Sequence, residues 1–75
     1  MPKLPQVTGV EMARALRRAG FEDRNWKGSH LRMRHPVTRR SVTVLTHTSP
    51  LGVGLVHEIL KQAGLDREQF ERLLR

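Results

Sequence analysis

Apolar side chains along the 75-residue chain follow two rhythms, one helical and one alternating. Val10, Ala13 and Leu16 recur three apart with Met12 beside them, and Arg14, Arg17 and Arg18 take the other side, which predicts an amphipathic helix over about residues 9–19. Its start is marked by Thr8-Gly9-Val10-Glu11, a capping box in which Thr8 caps and Glu11 reaches back, and its end by Gly20, suited to the left-handed position that follows a helix. Met1–Gln6, with prolines at positions 2 and 5, predicts an extended lead-in. Next, Phe21–Trp26 has aromatic ends with polar residues between, Lys27-Gly28-Ser29 supplies turn chemistry, and His30–His35 alternates. Pro36–Arg40 predicts a second turn, and Ser41–Leu45 is β-branched enough for a third strand. The middle of the chain therefore predicts a three-stranded antiparallel meander. In its second strand the period of two puts Leu31 and Met33 on one face and His30, Arg32 and Arg34 on the other.

Thr46–Gly52 reads as a loop, after which Leu55, Val56, Ile59, Leu60 and Ala63 have helical spacing up to a stop at Gly64. Asp66-Arg67-Glu68-Gln69 is a second capping pattern, with Phe70, Leu73 and Leu74 as the buried side of a short last helix. The order α-β-β-β-α-α predicts an α+β two-layer domain, with helices over one face of an antiparallel sheet and water on the other. At this length a single domain, residues 1–75, is expected.

Charge changes the picture. Lys and Arg number 14 against 7 Asp and Glu, for a net +7. Six bases (Arg24, Lys27, Arg32, Arg34, Arg39 and Arg40) and no acid lie between positions 24 and 40, with His30 and His35 among them. A local excess of this kind suits a phosphate backbone, although a merely solvated basic surface has the same composition. Cysteine is absent, which removes disulfides, thiolate nucleophiles and the usual structural zinc sites. No apolar run approaches the roughly 20 residues that span a bilayer, and the N-terminus lacks a secretory pattern, so a cytoplasmic protein without membrane partners is expected.

Chemistry on a nucleic acid needs either carboxylate-held metal ions or a histidine that can carry a proton near neutral pH. The acids form no inward cluster; only Glu22 and Asp23 are adjacent, and neighbours on a strand point to opposite faces. The pattern therefore disfavours a two-metal nuclease, and no metal or cofactor is expected. Of the four histidines, His30 has the best surroundings: it follows Lys27-Gly28-Ser29, where glycine lets backbone approach a phosphate and Lys27 offers a point charge, and Arg32 and Arg34 share its face. A solvated strand histidine is the plainer reading of the same residue. His47 faces the same site as a second proton carrier or phosphate contact, or simply caps its loop. His35 before Pro36 reads as turn structure and His57 as helix surface. Ser29 belongs to no Ser-His-acid arrangement that the spacing supports. Trp26 either stacks on a base or fills the core. Gly52-Val53-Gly54 is too short for a phosphate loop and reads as the start of a helix.

Taken in order, Gly20-Phe21, Lys27-Gly28-Ser29-His30, Arg34-His35-Pro36, Val42-Thr43-Val44, His47 and Ile59-Leu60-Lys61-Gln62-Ala63-Gly64 resemble the HicA toxins of HicA–HicB toxin–antitoxin pairs, over nearly the whole chain. The resemblance implies a double-stranded-RNA-binding-domain-like fold and a metal-independent mRNA endoribonuclease, neutralised by a HicB-type antitoxin. It also maps the family's catalytic histidine onto His30; Lys27, Gly28, Ser29, Arg32, Arg34 and His47 are the expected RNA contacts around it, with Lys27, Arg32 and Arg34 stabilising the charge that builds up on the phosphate. Trp26 departs from the family's common glutamine, Leu45-Thr46 from its frequent Val-Pro, and Thr48–Leu51 lacks the lysines often found there. A non-catalytic double-stranded-RNA-binding module is the main alternative, since it shares fold and charge. A third is a protein-interaction module whose basic face docks an acidic partner.

Overall fold

The structure, a computed structural model, describes residues 6–75, so the extended lead-in expected for Met1–Gln6 lies, but for its last residue, outside the described residues. Six elements follow in the expected order: α1 (Gly9–Arg18), β1 (Glu22–Lys27), β2 (His30–Arg34), β3 (Ser41–Leu45), α2 (Val53–Ala63) and α3 (Arg67–Leu73). The strands form one antiparallel sheet, β1-β2-β3, with β2 in the centre.

Local sequence sets the helix limits. Thr8 accepts a hydrogen bond from the Glu11 amide while the Glu11 carboxylate accepts from the Thr8 amide, which satisfies two of the amides a helix start leaves unpaired. Asp66 and Gln69 do the same for α3. Gly20 and Gly64, at φ 102° and 74°, occupy left-handed conformations after α1 and α2.

Helices α1 and α2 pack on one face of the sheet. Alternation in β2 and β3 turns Leu31, Met33, Val42 and Val44 under them, against Met12, Leu16, Ile59 and Phe70. No polar side chain is buried among the described residues, so cohesion comes from apolar burial, at roughly 25 cal/mol per Å². Arginines tie the layers at their rims. Arg17 grips Asp23 on β1 through Nε at 2.9 Å and Nη2 at 3.0 Å, which raises the Arg17 pKa above its ordinary value. Arg18 donates to the carbonyls of Leu73 and Arg75, both at 2.8 Å, and so holds α3 against α1.

Two apolar positions depart from expectation. Val10 is 39% exposed, because a spacing of three slips about 60° round the helix at each step and leaves Val10 about 120° from Leu16. Buried Ala15 lies on α1's core side instead. Leu55, at the edge of the α2 stripe and near its open end, is 45% exposed. Strand limits shift slightly as well: Phe21 is buried ahead of β1 and carries the edge of the His35 ring at 5.3 Å between centroids, and β2 ends at Arg34.

Gly9 seats the first turn of α1 directly on β3, since a Cβ there would overlap the Leu45 carbonyl; at Gly54, on α2, a Cβ would meet nothing within 4 Å. The same substitution should therefore act with opposite signs. Gly9→Ala is expected to destabilise by about 1–3 kcal/mol through overpacking, and Gly54→Ala to stabilise by about 0.5 kcal/mol through a less flexible unfolded chain. Urea denaturation of both variants checks this; equal shifts would mean that α1 does not rest on the Leu45 backbone.

Candidate functional site

The β1–β2 hairpin closes on a two-residue turn, Gly28-Ser29, so that Lys27 and His30 face each other as its last pair. Gly28 has φ 59° and Ser29 a negative φ, the pattern of a type II′ turn, whose twist suits the strands it joins. A second constraint comes from the end of β3. The Ser29 carbonyl accepts from the Thr46 amide at 2.9 Å and from Thr46 Oγ1 at 2.8 Å. His30 itself pairs with Leu45 across β2–β3. The turn is thus held from both flanks, and the backbone of His30 has little freedom.

On the uncovered face Lys27, His30 and Arg32 line an open depression of about 460 Å³ together with Asn25 and Thr43, the two cross-strand partners of Arg32. An imidazole, an ammonium, a guanidinium, an amide and a hydroxyl converge there, and no acid does. Such a set can hold a phosphodiester by its charge and offer it a proton carrier. Sequence reading had not singled out Asn25 and Thr43. The Lys27–His30 turn pair, counted back along both strands, is the signal that would have found Asn25.

The remaining candidate residues are placed differently. Gly28 sits in the turn with open space around it. Ser29 is half-buried and engaged through its carbonyl. Arg34, at the far end of β2, lines another cleft with Glu22, Arg24, Pro36 and Arg39. His47 is exposed in the loop after β3 and does not line the depression. Trp26 is 54% exposed and neither core nor neighbour of His30: it pairs with buried Leu31 and so lies on the helix side of the sheet, at the edge strand that the helices leave uncovered. His35 is a turn residue as expected, its Nδ1 accepting from the amides of Val37 and Thr38 at 3.1 and 3.2 Å. His57 is exposed on α2.

Backbone geometry also sorts the basic stretch. A β-bulge shifts the register between Asp23 and Asn25, so Asp23 turns toward Arg17 while Arg24 joins the uncovered face. Arg40 goes the other way. Its guanidinium packs beside Gly64 and donates to the Gln62 carbonyl at 3.3 Å, at the negative end of α2. Five of the six bases between positions 24 and 40 therefore remain for the open face. Among the described residues no three of His, Cys, Asp and Glu converge to hold a metal ion, and no helix is long and apolar enough to cross a membrane.

A family model described as HicA toxin of bacterial toxin–antitoxin matches residues 9–65, which spans α1, the whole sheet and α2. The chain belongs to the HicA toxin family. Comparison with curated proteins gives no match. Within this HicA domain every residue lining the His30 depression falls inside the matched region, and α3 falls beyond it. Thr46 matters here because a proline at that position would lack both of the donors that hold Ser29.

Thr46→Val keeps the side-chain shape and the amide but removes the hydroxyl donor. It should cost about 1 kcal/mol, and Thr46→Pro more, as both bonds to Ser29 go. Urea denaturation checks the order, and Thr46→Ser should restore most of the loss. A Thr46→Val protein as stable as the parent would show that the hydroxyl bond does not hold the turn.

Proposed function

We propose that this HicA-family chain is a toxin that cleaves mRNA endonucleolytically, with His30 as the proton carrier, and that a HicB-type antitoxin silences it by covering the basic face. The observation that carries the reading is the depression itself: His30, Lys27 and Arg32 converge without an acid, on a turn held from both sides. Family membership supplies the setting of a bacterial toxin–antitoxin pair.

In the reaction we infer, His30 takes the proton of a ribose 2′-OH as that oxygen bonds to the adjacent phosphorus. The bond from phosphorus to the 5′ oxygen of the next nucleotide breaks, that oxygen takes a proton from water, and His30 returns its own proton to solvent. Products are a 2′,3′-cyclic phosphate and a 5′-hydroxyl end. Lys27, which faces His30 across the turn, stabilises the charge that gathers on the phosphoryl oxygens, where a fixed cation is worth more than the mobile water it displaces, and Arg32, one alternate position along β2, reaches the neighbouring phosphate. Asn25 and Thr43 add hydrogen-bonding groups at the rim. Arg34 lies four residues along β2 from His30, about 13 Å away at strand spacing, so its contribution is to binding of the flanking chain and not to the reacting phosphate.

His30→Ala should lower the cleavage rate of an RNA oligonucleotide by about 10²- to 10⁴-fold while the affinity stays within a few-fold, as removal of a general base does. A substrate with a deoxyribose at the scissile position should resist cleavage, and induced expression of the wild type should arrest growth where His30→Ala does not. Folded His30→Ala that still cuts RNA would overturn the site. Tight RNA binding by the wild type without cleavage would favour the non-catalytic binding module.

A further inference from the structure

The second cleft of the open face is not accounted for by the reaction. Its lining brings three arginines from three places: Arg24 from β1, Arg34 from the end of β2, and Arg39 from the turn between β2 and β3. Two of the three get there by departures from regular backbone. Arg24 reaches the face through the β-bulge between Asp23 and Asn25, and Arg39 holds a left-handed conformation at φ 65°, which costs a residue other than glycine about 1–2 kcal/mol. None of the three side chains makes an ion pair or hydrogen bond among the described residues, and Glu22, the one acid at the cleft, is also unpaired. Three guanidinium groups with a single carboxylate around a cleft of about 130 Å³ leave a net positive site that favours an added anion. Planar guanidinium forks match the oxygens of a phosphate.

The position of the cleft selects the ligand. His30, Arg32 and Arg34 are alternate residues of one strand on one face, about 6.6 Å apart, comparable with the phosphate spacing of an extended single strand of RNA. A chain whose reacting phosphate lies at His30 would place the next phosphate at Arg32 and the one after that in the arginine cleft. We infer that Arg24, Arg34 and Arg39 form a second phosphate site for the substrate RNA, two phosphates from the bond that is cut and on one side of it only. This rests on the reading of His30 as the reacting centre. It adds that the enzyme grips single-stranded RNA in an extended form and with fixed polarity.

The test is binding of single-stranded RNA nonamers to full-length His30→Ala protein, with one phosphate at a time replaced by a neutral methylphosphonate. The position of the cut is read separately with the wild type. Neutralising the second phosphate on one side of the cut should weaken binding about tenfold, the value of one charge-assisted bond set. In a further variant carrying Arg24→Gln and Arg39→Gly, which leaves Arg34 alone at the cleft, the same replacement should cost no more than a few-fold, and the salt dependence should fall by about 0.7 in slope for each arginine removed. Glycine adopts the φ of residue 39 more readily than arginine, so that variant should keep its fold, as melting checks. Equal losses at every phosphate would reduce the cleft to general electrostatics and overturn the site. So would unchanged RNA binding by the variant together with weakened capture of an acidic antitoxin, which would assign the cleft to protein. Persistent cleavage by His30→Ala would instead remove the reaction reading and leave the binding scan to judge the cleft alone.

Discussion

Burial of Leu31 and Met33 governs the rest of the molecule. Both are fully enclosed in the central strand, and because a strand alternates sides, their burial forces His30, Arg32 and Arg34 into water on the opposite face. A slip of one residue would bury two arginines and a histidine and expose two core side chains. That penalty far exceeds the stability of a small domain, so the register of β2 is unambiguous. The type II′ turn and the double bond from Thr46 to Ser29 then fix where along the strand the hairpin ends. Neither contributes much energy alone; each removes freedom at the place where His30 stands.

Charge is distributed by backbone geometry more than by composition. Arg17 and Arg40 join helices to the sheet and Arg18 joins α1 to α3, through carboxylate or carbonyl oxygens, whereas Arg24, Arg32, Arg34 and Arg39 are left without partners on the open face. The separation follows from which oxygens are within reach. Helix C-termini and the chain end offer unpaired carbonyls, and arginines near them are drawn inward. The sheet's outer face offers few, with Glu22 the single carboxylate beside the arginine cleft. The excess of cations there is left for anions from outside.

Much of this was legible in the chain. The capping boxes at Thr8 and Asp66, the alternation of β2 and the stops at Gly20 and Gly64 are short-range effects, so the element order and the face carrying His30 followed from local pattern. What escaped depends on contacts distant in sequence. The bulge at Arg24 accompanies the Arg17–Asp23 pair between α1 and β1, and the inward turn of Arg40 meets the end of α2, more than 20 residues away, at Gln62. The drift of Val10 off the core stripe came from treating a spacing of three as equivalent to the helical period. Alternation puts Arg34 on the face of His30 but does not carry the distance along that face, which places the two at different clefts.

Alternation in β2 also divides how mutation is felt. Across five consecutive codons, His30 to Arg34, each change is judged by a different criterion from its neighbour's: packing volume at Leu31 and Met33, and interaction with solutes at the other three. Apolar exchanges of similar size at the first set leave the outer surface as it was. Changes at the second set leave the interior as it was. A lineage carrying this hairpin can therefore drift in its interior while holding its chemistry constant, or retune what it grips without renegotiating its fold, and the two histories accumulate side by side in the same short strand.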